Sequence, residues 1–131
     1  MGDGEMAEGP TWEAAMSAGS YGLDNIIGIV DVNGIQADGK TSSVLNTEPL
    51  HEKFKAFNFD VQRINGNSIS QVMEAVDKAR TSTEKKPHVI LCDTVPGTGL
   101  SFLIGNPKSH FISLDAEGWN RAFNELERGK D

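Results

Sequence analysis

Two short motifs at a fixed separation constrain this chain more than anything else in it. Gly2-Asp3-Gly4-Glu5 is followed by Asp31-Val32-Asn33-Gly34-Ile35, which puts Asp3 and Asn33 thirty residues apart. Between them lie an alanine-rich stretch over 10–18 that reads as a helix and an apolar run, Ile26-Ile27-Gly28-Ile29-Val30, that reads as a strand. Helix then strand over that length is the signature of a βαβ unit. Both oxygen-bearing side chains then fall at the carboxyl ends of neighbouring parallel strands. Oxygen ligands in a tight octahedron suit a hard cation such as Mg²⁺, which usually shares its shell between protein, phosphate and water. Glycine on each side of Asp3 lets the backbone approach a phosphate closely.

The rest of the chain keeps the alternation. Pro10 suits a first helical turn, and the helix fades at Gly19 and Gly22. The strand over 26–32 is apolar almost throughout, as expected of a parallel strand covered on both faces. A polar loop over 38–43 follows, then a short helix over 49–57, a strand over 60–64 and a helix over 68–81. In that last helix Ile69, Val72, Met73 and Val76 recur at helical spacing. Residues 84–87 form a solvated loop before a strand over 88–95. A glycine-rich loop, Gly97-Thr98-Gly99, an irregular stretch to His110 and a helix over 115–127 capped near Asp115 complete the pattern. This is an α/β arrangement with a mostly parallel sheet flanked by helices. Only Met1 precedes Gly2-Asp3-Gly4, so the sheet is expected to lack its first strands, and residues 1–131 to form one partial domain.

Composition excludes several function classes. Twelve basic against nineteen acidic residues leave a net charge of −7, which disfavours nucleic acid and an anionic membrane surface. No apolar run in the 131 residues approaches a membrane span and no signal peptide is visible. The single cysteine, Cys92, sits in the apolar strand and reads as a buried thiol. These features point to a cytoplasmic protein. His51 in a charged helix start and His88 at the head of a strand need no function.

The motif set resembles the thiamine-diphosphate-binding domain of transketolase, in its later half, and most closely the split bacterial type in which two chains divide the domains. The resemblance is carried by Gly2-Asp3-Gly4-Glu5 with Glu8-Gly9, Trp12-Glu13-Ala14-Ala15, Asp31-Val32-Asn33-Gly34-Ile35-Gln36-Ala37-Asp38-Gly39, Thr94 to Phe102, Asn106-Pro107 and His110. A lone Gly-Asp-Gly would be weak evidence; the combination is specific. The resemblance implies that Asp3, Asn33 and the carbonyl of Ile35 bind Mg²⁺, which in turn holds thiamine diphosphate. It assigns cofactor contacts to Gly2, Asp3, Gly4, Glu5, Asn33, Ile35, Ala37 and His110, with the Gly4 amide on a phosphate oxygen. Glu8 matches a glutamate of a carboxylate relay at the subunit interface, and His110 a histidine that reaches the diphosphate and the substrate side of the thiazolium. In that family the cofactor is the electron sink for carbon–carbon cleavage, and a two-carbon ketol unit passes between sugar phosphates.

Departures from the family pattern qualify these expectations. Ala37 replaces a larger aliphatic residue against the thiazolium, Thr98 replaces a lysine, and Phe111-Ile112-Ser113 follows His110 where Gly and Pro are common. The early substrate-channel histidines and the pyrimidine-binding domain, with its glutamate, are expected to lie outside this chain. The chain is therefore expected to be inactive alone and to associate with a second transketolase chain carrying the pyrimidine domain, as a homo- or hetero-oligomer. Rival readings are another thiamine-diphosphate enzyme, such as a dihydroxyacetone synthase or deoxyxylulose-phosphate synthase, and a non-enzymatic truncated remnant that binds only a partner.

Overall fold

A computed structural model describes residues 1–106, 109 and 111–128. The chain divides into two compact units, Met1–Thr94 and Val95–Asp131. The first contains a 3₁₀ turn Glu5–Ala7, α1 (Gly9–Tyr21), β1 (Ile27–Val32), β2 (Ile35–Gln36), β3 (Gly39–Lys40), α2 (Thr41–Val44), α3 (Leu50–Ala56), β4 (Asp60–Asn65), α4 (Ile69–Thr81) and β5 (His88–Asp93). The second contains α5 (Ala116–Arg128).

Three strands pair in parallel in the order β1-β5-β4, with Ile27 and Asp60 both opposite His88. Strand β5 is central and sequence supplies the reason: Val89-Ile90-Leu91-Cys92 has no polar residue to place in water, and all four are buried. Its side chains alternate between two cores. Val89 and Leu91 pack with Met6, Ala15, Ala18, Val30, Leu50, Phe54 and Phe59 under α1 and α3. Ile90 and Cys92 face Ala75 beneath α4. On the first side Trp12, Phe54 and Phe59 stack in a chain with centroids 5.2 and 5.4 Å apart, and the Trp12 indole N–H donates to the Met6 carbonyl at 2.8 Å.

Helix α1 begins with proline in its first turn and ends at Gly22, which adopts φ 60° and terminates the helix. Helix α4 is capped by Ser68, whose hydroxyl accepts from the Gln71 amide. It presents Ala75 and Ala79 to the sheet, whereas Ile69 and Met73 are exposed, so the apolar spacing included residues on its outer side. The loop expected over 38–43 is instead partly ordered: β2 and β3 form a small antiparallel hairpin that runs directly into α2.

The chain start is tied into the sheet. Gly2 makes a parallel bridge to Asp31, the Asp31 amide donates to the Met1 carbonyl at 2.8 Å, and the Asp3 amide donates to the Asp31 carbonyl at 2.9 Å. The segment therefore extends the sheet beside β1 and delivers Asp3 to the strand ends.

At that same end Arg63 makes a forked bond to Asp93, with Nη2 at 2.8 Å, and pairs with Glu48 at 2.9 Å. Burial pushes the Glu48 carboxyl up, but Arg63 and the Leu50 amide overcome it and hold the group below its ordinary 4.5. A depressed carboxyl contributes stability above its unfolded value and loses it as pH falls through the folded one. Because the pair is half-exposed, Arg63→Met is expected to cost about 1 kcal/mol at pH 7. That cost should shrink as pH falls below 4.5, which urea unfolding of both proteins at several pH values would reveal.

In the second unit, Gly97, Gly99 and Gly105 all have positive φ. A Cβ on Gly97 would lie 2.4 Å from the Leu103 carbonyl oxygen, so the loop closes on itself only with glycine there. Thr98 caps the loop by donating to the Val95 carbonyl at 2.6 Å. Glu125 of α5 accepts from both the amide and hydroxyl of Ser101, at 2.6 and 2.8 Å. Asp115 caps α5 by accepting from the Gly118 amide at 2.8 Å.

Candidate metal and cofactor site

Asp3 is the centre of the arrangement. It leaves the chain-start strand into the 3₁₀ turn and is only 3% exposed. One carboxylate oxygen, Oδ2, accepts from the Gly34 amide at 2.9 Å and from the Thr41 hydroxyl at 3.2 Å. The other, Oδ1, is buried and has no hydrogen-bond partner among the described residues. A buried carboxylate oxygen left unpaired is expensive, and each such atom in a folded protein calls for a reason. Burial pushes the Asp3 carboxyl above its ordinary 3.8; the Gly34, Thr41 and Gly4 donors pull the other way, and the neighbouring Asp31 charge adds to the rise.

Asn33 follows β1, so its side chain starts from the strand adjacent to Asp3. Its Oδ1 accepts from the Ile35 amide at 2.8 Å and its Nδ2 donates to Asp31 Oδ2, also at 2.8 Å. Gly34, with φ 71°, turns the chain so that its own amide meets Asp3 while its carbonyl accepts from the Thr41 amide at 2.9 Å. Ile35 opens the hairpin, half-buried. Gly4 lies against Gln36, where a Cβ would approach the Gln36 Cβ to 2.7 Å. Glu5 Oε2 accepts from the Gly2 amide at 3.3 Å.

Asp3, Gly4, Asn33 and Ile35 are thus gathered within one web, with Gly2 and Glu5 beside it. Ala37 stands apart at the exposed hairpin tip, and Glu8 is exposed at the start of α1 without a capping bond. His110 lies outside the described residues. Thr41 lies outside the motifs, and Asp31 and Thr94 lie within them without an assigned role; the Thr94 hydroxyl donates to Asp31 Oδ1. Their partners are 38 and 63 residues away, so no local pattern advertises them.

The residue chemistry fits a hard cation: Asp3 brings a buried carboxylate oxygen without a partner and Asn33 brings an amide oxygen. Among the described residues no three His, Cys, Asp or Glu side chains converge on a metal position. Any cation here would therefore draw much of its shell from main chain, phosphate and water. No described helix is long and apolar enough to cross a membrane.

Comparison with known proteins identifies the family. A family model described as "Transketolase, thiamine diphosphate binding domain" matches residues 1–126. A transketolase family protein of Sinorhizobium fredii is 50% identical over 127 residues, covering 97% of this chain and 46% of that protein. The 6-deoxy-6-sulfo-D-fructose transketolase subunit of a Clostridium species is 42% identical over 128 residues, covering 98% of this chain and 46% of that relative. The chain therefore spans about half the length of these relatives. Transketolase from Campylobacter jejuni superposes with a TM-score of 0.87 at 34% identity, over 96% of this chain and 20% of that one. The fold and these likenesses agree: the chain belongs to the transketolase family and matches its thiamine-diphosphate-binding domain.

Proposed function

We propose that this chain supplies the Mg²⁺-diphosphate half of a transketolase-type active site, within an assembly that moves a two-carbon ketol unit between sugar phosphates. The observation that carries the reading is Asp3 Oδ1, buried and unpaired at a strand end beside Asn33. In this reading Asp3 Oδ1, Asn33 Oδ1 and the Ile35 carbonyl bind Mg²⁺, and the Gly4 amide meets a phosphate oxygen. Gly2 and Glu5 would shape the approach, Ala37 would stand on the thiazolium side, His110 would reach the diphosphate, and Glu8 would lie at a subunit interface. Thiamine diphosphate, when bound, supplies the electron sink for carbon–carbon cleavage.

The chain's own residues bind and orient. Gly34 and Thr41 hold one Asp3 oxygen, and the other would be available to the cation. With a net charge of −7, the chain is poorly disposed to take a diphosphate without a cation. The assembly includes a partner chain that carries the pyrimidine-binding domain. Support comes from the Clostridium relative and from an apulose-4-phosphate transketolase chain of Actinobacillus succinogenes, each named as one subunit of its transketolase. A cytoplasmic setting accords with the chemistry.

Calorimetric titration of the folded chain with thiamine diphosphate tests the reading. Heat is expected only with Mg²⁺ present and is expected to vanish with EDTA. A folded chain that gives no heat under either condition would favour the remnant that binds only a partner.

A further inference from the structure

Asp31 is not among the residues that the motifs assign to the site, yet it holds the one amide whose orientation matters there. We propose that Asp31 is a positioning residue that fixes the Asn33 side chain with its oxygen toward the cation, and that Thr94 holds Asp31 for this task. The inference rests on the Mg²⁺ role of Asn33 proposed above.

An asparagine can ligate a hard cation only through its oxygen, and its terminal torsion has two broad wells that exchange oxygen for nitrogen. Here the two sides of the amide meet opposite chemistry. Nδ2 donates to Asp31 Oδ2 at 2.8 Å, and Oδ1 accepts from the Ile35 amide at 2.8 Å. Turning the amide over would set oxygen against carboxylate and NH₂ against N–H, replacing two hydrogen bonds by two repulsions. Both Asp31 carboxyl oxygens meet side-chain donors, so the side facing Asn33 accepts and selects one orientation of its amide. Asp31 is itself fixed. Its main chain is bonded on one side to Met1 and Asp3 and registered on the other against Cys92 in β5. Its Oδ1 accepts from the Thr94 hydroxyl, and the Thr94 amide is anchored on the Val32 carbonyl at 3.1 Å. With both Asp31 oxygens engaged by side-chain donors, the carboxylate serves as a support for the ligand beside it.

A second effect of Asp31 must be separated from this one, because its negative charge alone would attract a cation. Charge and orientation differ in two ways. Asp31→Asn removes the charge but keeps a carbonyl oxygen able to accept from Asn33, since the Thr94 hydroxyl can rotate to accept instead. An effect exerted through Asn33 also disappears once Asn33 is gone, whereas a field effect survives.

The test uses the full chain and two readouts. In the metal-free protein, the Asn33 side-chain NH₂ protons are followed by nitrogen–proton NMR. They are expected to be well separated and slow to exchange in the wild type, and to collapse toward solvated values in Asp31→Ala. Mg²⁺ is then titrated calorimetrically at fixed thiamine diphosphate. Asp31→Ala is expected to weaken Mg²⁺ about tenfold or more, as loss of a ligand-orienting partner generally does. Asp31→Asn should stay within about threefold of wild type, and Asp31→Ala should add nothing in an Asn33→Ala background.

Equal losses in Asp31→Ala and Asp31→Asn would overturn positioning in favour of charge. A loss that persists without Asn33, or Asn33 signals unmoved by Asp31→Ala, would overturn it as well. A wild-type chain with intact Asn33 signals but no Mg²⁺ uptake would overturn the proposed cofactor role, and with it the purpose of the clamp.

Discussion

Asp3→Asn is expected to weaken Mg²⁺-dependent binding of thiamine diphosphate by a hundredfold or more, roughly 3 kcal/mol, while leaving the metal-free chain at least as stable as the wild type. The two outcomes have one cause. Asparagine keeps an oxygen to accept from the Gly34 amide and the Thr41 hydroxyl, so the local framework survives. What it loses is the second oxygen and the charge, and that oxygen is the one with no hydrogen-bond partner. Burial has raised the Asp3 carboxyl above 3.8, so the folded chain holds that proton more tightly than the unfolded chain does. A raised carboxyl contributes stability that is complete below its unfolded value and lost as pH rises through the folded one. Metal-free wild type should therefore lose stability relative to Asp3→Asn as pH climbs above 3.8 and through the raised folded value. Calorimetry and urea unfolding on the same two proteins check both halves. A destabilised Asp3→Asn with unaltered cofactor binding would make Asp3 a structural residue.

Gly19→Ala is expected to lower the unfolding free energy by about 3 kcal/mol, toward the upper end for an overpacked core. A Cβ at residue 19 would sit 1.7 Å from the Phe57 carbonyl oxygen and 2.9 Å from its carbon. The obstacle is backbone and cannot rotate away. The Phe57 amide is bonded to the Lys53 and Phe54 carbonyls at the end of α3, and Asn58 follows in a left-handed conformation. Helix α1 must then lift from the sheet, and the cost spreads to Trp12, Ala15 and Ala18 on its packed face. Thermal or urea unfolding followed by tryptophan fluorescence would report it. A loss below about 1 kcal/mol would mean that α1 does not rest on the end of α3 as described.

Much of the fold was legible because the chain uses long, unbroken signals. A strand such as Val89-Ile90-Leu91-Cys92 can only be central, and Pro10 with Gly22 brackets α1 as their backbone preferences require. The Asp3–Asn33 spacing predicted neighbouring strand ends, and the Gly2–Asp31 bridge with the Asp3–Gly34 bond puts the two residues there. What escaped reading was short or non-local. Strands of two residues carry no periodicity, so the hairpin Ile35–Gln36 with Gly39–Lys40 passed for loop, although two glycines within six residues marked a tight reversal. Helix α4 misled because Ile69 and Met73 fit the spacing, while the surface that packs closest is made by Ala75 and Ala79, whose small size lets the helix approach. His88 passed as an ordinary strand start, yet it is buried and its Nδ1 lies 3.1 Å from Asp60 Oδ2. Thr41 reaches Asp3, and Thr94 reaches Asp31, through hydrogen bonds that close only in three dimensions.

The residues of the proposed site were legible in the sequence, and their hydrogen-bond partners were not. Residue type names Asp3 and Asn33 as oxygen donors, but only geometry tells which Asp3 oxygen is spent on Gly34 and Thr41 and which remains open.

The most direct test of that assignment replaces Mg²⁺ by paramagnetic Mn²⁺ in the presence of thiamine diphosphate and follows the backbone amide signals of the folded chain by NMR. A cation held by Asp3 Oδ1, Asn33 and the Ile35 carbonyl should broaden Gly4, Gly34 and Ile35 first and at the lowest Mn²⁺, with Asp3→Asn abolishing the effect. Broadening centred instead elsewhere on the chain, and unchanged in Asp3→Asn, would contradict the account.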